Sequence, residues 1–281
     1  MTAAEKPSAT NAFRGAQAPG APVTFYVVRH GQTLFNVMGK VQGWCDTPLT
    51  EDGVRGAEKL GRGLAEVDFV AAYASDSGRA EQTLDVLLSA RAAARGEASA
   101  LTQTSLSATT DTSDPAATGA AASPALRAPL CTGASLPLAF DARLREWCYG
   151  DLEGEPGELL HEALTRGFGE DLSFEEHNRR LPEVANVIVQ ADTSGRAERF
   201  ETIEQRLTSF FREAGDAISR ADGGNVLVVT HSFVVRTLVY LLEPSRVNDP
   251  VKIPNTSVTR IHYDQTGFTL AEIGSTAWQK A

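Results

Sequence analysis

The chain has 281 residues, 42% of them hydrophobic and 22% charged, and a formal net charge of -10 at pH 7. That composition suits a globular chain and excludes collagen, a coiled coil or a wholly disordered polypeptide. No run approaches the ~18 apolar residues of a membrane-spanning helix, and the acidic balance disfavours broad attraction to nucleic acid or anionic lipid.

In chain order, residues 1–22 have no apolar h-region and read as a disordered N-terminal tail rather than a secretory signal. Val23–Arg29 is a β-branched and aromatic run, the pattern of a buried strand. Thr50 followed by Glu51 and Asp52 is an N-cap with an acidic first turn, and Val54, Ala57, Leu60 and Leu64 continue it as a helical stripe. Phe69–Ala74 is a second strand and Arg79–Leu88 a second helix. Residues 93–125 contain 11 Ala, 6 Thr and 5 Ser, with no aromatic residue, Ile or Val. Such a stretch buries too little apolar area to offset its ordering entropy, so a disordered insertion is expected over about 93–135. Leu138–Phe140 is a weak third strand, and residues 155–182 carry mixed helix and loop signals. Phe200 to Ile218 forms a long amphipathic helix, Asp222–Asn225 a turn, Val226–Thr230 a buried strand and Phe233–Leu242 a buried helix. Val258–Tyr263 and Phe268–Ile273 form a closing hairpin.

Strands separated by helices imply an α/β fold, a largely parallel sheet covered on both faces, with 23–281 as one domain. Ligands of such sheets bind beyond the carboxyl ends of the strands. Arg29, His30 and Gly31 stand there after the first strand, Ser75, Asp76 and Arg79 after the second, and His231 after Val226–Thr230. An acidic chain that gathers two imidazoles and two guanidiniums at one sheet edge is suited to an anion, and the planar guanidinium fork fits phosphate oxygens. Cys45, Cys131 and Cys148 form no CxxC pair and are odd in number, which argues against a disulfide framework or structural zinc and for a reducing cytoplasm. His161, His177 and His262 lack metal-ligand spacing.

These residues fall into four ordered motifs. The first is Arg29-His30-Gly31-Gln32-Thr33-Leu34-Phe35-Asn36, continued by Gln42-Gly43-Trp44-Cys45-Asp46-Thr47-Pro48-Leu49-Thr50 up to Gly53. The second is Ser75-Asp76-Ser77-Gly78-Arg79-Ala80-Glu81-Gln82-Thr83. Leu144-Arg145-Glu146 with Gly150-Asp151-Leu152-Glu153-Gly154 is the third, and Val228-Val229-Thr230-His231-Ser232 the fourth; Pro254-Asn255-Thr256-Ser257-Val258-Thr259 leads into the last strands. In this order they resemble the histidine phosphatase superfamily, the phosphoglycerate mutase-like group. The resemblance runs from about residue 24 to 263 and leaves out the tail and the insertion.

The resemblance implies a three-layer α/β/α sandwich and a catalytic set of His30, Glu146, His231, Arg29 and Arg79. His30 would be the nucleophile, its tautomer fixed by a backbone carbonyl. Arg29, Arg79 and His231 would surround the phosphoryl oxygens, and Glu146 would act as acid and then base. Thr33, Asn36, Gln42, Gly43 and the Ser232 backbone N–H are further expected contacts to phosphate or substrate. Gln32 stands where Glu is common, and Ser232 where Gly or Ala is often found. Residues about 152–198 would form a substrate cap, with Arg166, Arg179, Arg180, Arg196 and Arg199 as candidates for a second anion. The implied activity is a metal-independent phosphomonoester hydrolase without a cofactor, acting on a small phosphorylated metabolite. A cofactor-dependent phosphoglycerate mutase and a non-catalytic phospholigand-binding protein are the alternatives. The sequence leaves the oligomeric state open.

Overall fold

The computed structural model describes residues 13, 15–97 and 136–281. Most of the expected tail and insertion, residues 1–12, 14 and 98–135, lies outside the described residues. One mixed sheet of six strands organises the rest. Its strands are β1 (Val23–Arg29), β2 (Phe69–Ala74), β3 (Leu138–Phe140), β4 (Gly224–Thr230), β5 (Val258–Asp264) and β6 (Gly267–Ser275), in the spatial order β3-β2-β4-β1-β5-β6. The β3–β2, β2–β4 and β4–β1 pairs are parallel. The closing hairpin joins antiparallel through β5.

The helices are α1 (Leu34–Val37), α2 (Glu51–Gly63), α3 (Gly78–Ala94), α4 (Gly157–Phe168), α5 (Phe174–Arg179), α6 (Leu181–Ala191), α7 (Phe200–Arg220) and α8 (Ser232–Leu242). Strand alternation divides the core into two layers. Tyr26, Val28, Ala72, Ala74, Leu227 and Val229 face one side and pack with Leu60 of α2 and Leu84 and Leu87 of α3. Phe25, Val27, Tyr73, Val226 and Val228 face the other, against Ile203, Phe210 and Phe211 of α7 and Val235 and Leu238 of α8. Full burial of each such side chain contributes roughly 1.5–3 kcal/mol before entropy is counted. The expected α/β/α sandwich is therefore present. No described helix is long and apolar enough to cross a membrane.

Three boundaries move. Phe13, Ala16 and Ala18 are buried, the Ala18 N–H donates to the Asp264 carbonyl at 2.8 Å, and the Tyr263 hydroxyl donates to the Gln17 carbonyl at 2.7 Å. The described part of 1–22 is thus packed on the closing hairpin, a correction to the tail expectation. Its contacts are made some 250 positions away in sequence, where no local pattern announces them. At the insertion's start, residues 93 and 94 belong to α3, and Arg95 caps it. The ambiguous stretch 155–182 becomes α4, α5 and the first turn of α6, with Ser173 and Glu176 forming a capping box that starts α5.

Candidate active site

β1 and β4 end side by side, with Arg29 in register with Thr230. The His30 N–H donates to the Thr230 carbonyl at 2.8 Å, so the residues that follow both strands, His30 and His231, leave the sheet together. Their rings lie 5.2 Å apart at 60° and are buried. His30 Nδ1 stands 2.7 Å from the Gly31 carbonyl. A carbonyl only accepts, so Nδ1 carries the hydrogen and Nε2 keeps its lone pair. Burial, then Arg79 and then Arg29, hold the His30 imidazole well below its ordinary pKa of 6.5. Burial, Arg79 and His30 do the same to His231.

The loop after His30 is fixed from two sides. The Gly31 N–H donates to Thr83 Oγ1 at 2.9 Å, and the Thr83 hydroxyl donates to the Arg79 carbonyl at 2.6 Å. A Cβ on Gly53 would lie 2.1 Å from the Gln32 carbonyl oxygen, so only glycine lets α2 press against this loop. α2 itself starts where its cap predicts, with Thr50 Oγ1 accepting the Gly53 N–H.

Arg79, at the start of α3, is fully buried. It donates to the Gly43 carbonyl at 2.7 Å, the Cys45 carbonyl at 2.9 Å and Asp46 at 2.8 Å. Arg29 donates to the Ile253 carbonyl at 2.6 Å, and burial lowers its pKa to about 10, leaving it charged near neutral pH. Five buried side-chain polar atoms among the described residues have no partner, and Nε of Arg29, Nε of Arg79 and Nδ1 of His231 are three of them. An unmet buried polar atom costs roughly 1–3 kcal/mol, so this concentration at one place points to an anionic occupant.

Glu146 follows a 3-10 turn at Ala142–Leu144 and is buried. Its Oε1 accepts the Trp147 N–H and its Oε2 the Phe233 N–H, both at 3.0 Å, and the Ser232 hydroxyl lies 3.5 Å from Oε2. Burial outweighs these bonds and raises the carboxyl above its usual pKa of 4.5. A carboxyl kept protonated to higher pH is suited to donate a proton.

The remaining expected contacts divide. Asn36 accepts from the Thr33 N–H and from Asn255 Nδ2, both at 3.2 Å, and among the described residues no acceptor takes its own amide hydrogens. The Thr33 hydroxyl donates to Gln42 Oε1 at 2.7 Å, and Gln42 Nε2 donates to Thr47 at 2.9 Å. Thr33 and Gln42 thus brace the loop with the atoms expected to face a ligand. Gly43 is backbone support: a Cβ there would lie 2.2 Å from Glu153 Oε1 and from the Trp147 carbonyl oxygen.

Four supporting residues were given no role from the sequence. Glu153 accepts the N–H groups of Gly43, Trp44, Cys45 and Tyr149 at 2.9–3.1 Å, clamping the loop whose carbonyls hold Arg79. Asp46 pairs with Arg79 directly. Asn255 Nδ2 also donates to the His30 carbonyl at 2.9 Å. Arg206 donates to the carbonyls of Arg143, Arg145 and Glu146 and pairs with Glu198 at 2.9 Å, so it fixes the Glu146 loop. Glu153, Asp46 and Asn255 lie inside the ordered motifs, which is the available signal; Arg206, on the inner side of α7, has none.

Among the described residues no group of three or more His, Cys, Asp and Glu could hold a metal ion. His161 pairs with Asp171 at 3.2 Å, His262 Nδ1 stands 3.0 Å from the Thr24 hydroxyl, and His177 packs on Phe168. Cys45 is half-buried, its thiol pushed up to about 12 chiefly by burial; Cys148 is buried, and Cys131 lies outside the described residues.

A family model described as "Histidine phosphatase superfamily (branch 1)" matches residues 25–106 and 126–276. The chain is similar to the probable phosphoglycerate mutase GpmB of Erwinia tasmaniensis, at 24% identity over 86% of this chain and 85% of the relative. It is similar to the crystal structure of phosphoglycerate mutase from Bacillus anthracis str. Sterne at 30% identity, with a TM-score of 0.73 over 92% of this chain and 96% of the other. The alpha-ribazole phosphatase from Shigella flexneri, at 20% identity and a TM-score of 0.58 over 91% and 98%, shares the fold.

Proposed function

From the premise that this chain belongs to the histidine phosphatase superfamily, we propose that it is a metal-independent phosphomonoester hydrolase with His30 as nucleophile. The observation that carries this reading is the cluster of partnerless buried atoms on Arg29, Arg79 and His231 around an imidazole whose Nε2 is unprotonated. His30 Nε2 attacks phosphorus, and the bond from phosphorus to the ester oxygen breaks. Glu146 gives its proton to that leaving oxygen. A water then attacks the phosphohistidine, Glu146 takes the proton, and phosphate leaves with His30 restored to its neutral form.

Phosphoryl transfer asks mainly for positioning and charge stabilisation. Arg29 and Arg79 supply fixed positive charge to the equatorial oxygens, with His231, the Asn36 amide and the Ser232 N–H as further donors. Each such donor is worth about 10²–10³ in rate. Thr33, Gln42 and Gly43 act through the loop rather than on phosphate.

The mutase reading shares the first half-reaction, and the Erwinia tasmaniensis and Bacillus anthracis proteins carry that name. It needs a cap that holds a second anion. None of the five cap arginines lines the cavity beside Arg29: Arg180 pairs with Glu183 and stacks on Phe168, while Arg166, Arg179, Arg196 and Arg199 are exposed. A phosphate-release screen over phosphomonoesters in the presence of chelator, with His30→Ala alongside, tests the proposal. Release that survives chelator and vanishes in the variant is expected. Phosphate-neutral isomerisation of 3-phosphoglycerate dependent on a bisphosphate primer would favour the mutase. Wild-type inertness to all of these would leave only ligand binding.

A further inference from the structure

A cavity of about 220 Å³ adjoins the candidate active site. Arg29, Ser232 and Phe233 form its inner wall, so it borders both a guanidinium of the anion site and the residues that touch the Glu146 carboxyl. The outer wall comes from α5 and from the loop before β5: Phe174, Val251 and Ile253 present apolar surface there, with Lys252 and Asn178 beside them.

The wall is built in advance. Asn178 is buried and donates Nδ2 to Asn248 Oδ1 at 2.8 Å and to the Val251 carbonyl at 3.0 Å, tying α5 to the loop. Arg236 also faces the cavity, but it spends its guanidinium on the carbonyls of Val247, Pro250 and Val251. Arg29 holds the Ile253 carbonyl. The Lys252 ammonium sits 4.4 Å from the centroid of the Phe174 ring, and Phe174 as a residue is still 54% exposed.

We propose that this cavity receives the organic part of the phosphomonoester and selects a single-ring, mostly apolar leaving group. The inference rests on the hydrolase reading, and it adds what the ester carries. A leaving oxygen protonated by Glu146 must lie on the Phe233 side, because the carboxyl is anchored there. The cavity is open to solvent on one side, and its walled part sets the scale of the group it holds: against the ~150 Å³ of an enclosed apolar cavity that accommodates benzene, about 220 Å³ seats one ring and its link to the ester oxygen. A short polyhydroxylated chain would leave the exposed Phe174 and the half-buried Val251 without an apolar partner, and the Asn178 amide hydrogens that could serve its hydroxyls are already donated within the protein.

The test uses phosphonates, whose carbon–phosphorus bond this reaction does not cleave, so it does not depend on turnover. Calorimetric titration of the full chain is expected to give phenylphosphonate an affinity about tenfold above that of methylphosphonate, the scale of a small apolar group in a fitted pocket. Phe174→Ala removes one wall and Val251→Phe fills the space. Each is expected to bring the ratio to within about twofold, with an unchanged far-ultraviolet spectrum showing that the variant is folded. Equal affinities in the wild type, failure of phenylphosphonate to bind, or a preference that survives in either folded variant would overturn the proposal. Hydrolysis of esters by a wild type without this preference would discard the pocket and keep the hydrolase. The preference without hydrolysis of any ester would do the reverse.

Discussion

The two ends of the candidate pocket are built on opposite plans. At the sheet end, His30 and His231 leave neighbouring parallel strands, and Arg79 is held by two carbonyls and Asp46. That geometry is set by backbone and is buried. At the α5 end, the wall is a six-residue helix and a loop, and its principal side chain, Phe174, is half in solvent. The difference teaches where change is tolerable. The group proposed to handle phosphorus cannot shift without disturbing strand ends, whereas the surface proposed to meet the rest of the substrate can be altered one side chain at a time.

The largest effect should come from His30→Ala. Loss of a nucleophile removes about 10⁴-fold or more of kcat, while the melting temperature should hold or rise, since a partly charged environment loses a buried imidazole. Phosphate release and a thermal melt on the same sample check both halves. Substantial residual turnover would break the division between the two ends.

Arg79→Ala should cost about 10²–10³ in activity and should also destabilise the fold, because the Gly43 and Cys45 carbonyls lose their donor. An activity loss with full stability would mean that Arg79 holds only the ligand and not the loop. Glu153→Gln sharpens the point from one step away. The amide keeps one acceptor oxygen for a clamp that uses two, so four backbone N–H groups are no longer all served. A loss of about 1–3 kcal/mol in chemical denaturation and about tenfold in kcat through a displaced Arg79 is expected, with KM for the ester changing less.

The smallest effect is in pH dependence. His30 and His231 are held neutral well below 6.5, the value at which the unfolded chain protonates them. Below about 6.5 the unfolded chain binds more protons, so stability is lost as pH falls from there towards the folded values, by at most about 1.4 kcal/mol per pH unit for each histidine. Glu146 acts in the opposite sense: above 4.5 the unfolded carboxyl ionises while the folded one stays protonated, and stability is lost as pH rises through that interval. Denaturation between pH 5 and 6.5 should therefore show stability rising with pH, two histidines outweighing one carboxyl, and a His30→Asn, His231→Asn double variant should abolish that rise. An unchanged slope would mean that the imidazoles are not the groups held neutral.

The same contrast explains what was readable in the sequence. Val23–Arg29 and the strand ending at Thr230 announce themselves by β-branched runs, and the residue just past a strand end is a positional statement that needs no contact information. His30, Arg79 and His231 are legible that way, whereas Glu146, which follows a 3-10 turn and not a strand end, is legible only through its motif. Thr33 and Gln42 show the limit: their side chains suit a ligand, yet they bond to each other and to Thr47, a partnership that depends on loop geometry. Arg206 is one polar residue on an amphipathic helix, and only the fold brings it to three carbonyls near Glu146. Phe13 and the residues after it carry no periodic signal, because this segment gains its burial from a hairpin at the other end of the chain.

The central claim is that His30 takes the phosphoryl group, and the most direct measurement is to trap it there. With a labelled p-nitrophenyl phosphate, whose leaving group needs little protonation, Glu146→Gln should slow the attack of water more than the first step. Rapid quenching and peptide mapping of that variant should find acid-labile, alkali-stable label on His30, approaching one per chain. Label on another residue, or turnover without any label in a variant that still releases p-nitrophenol, would contradict the account.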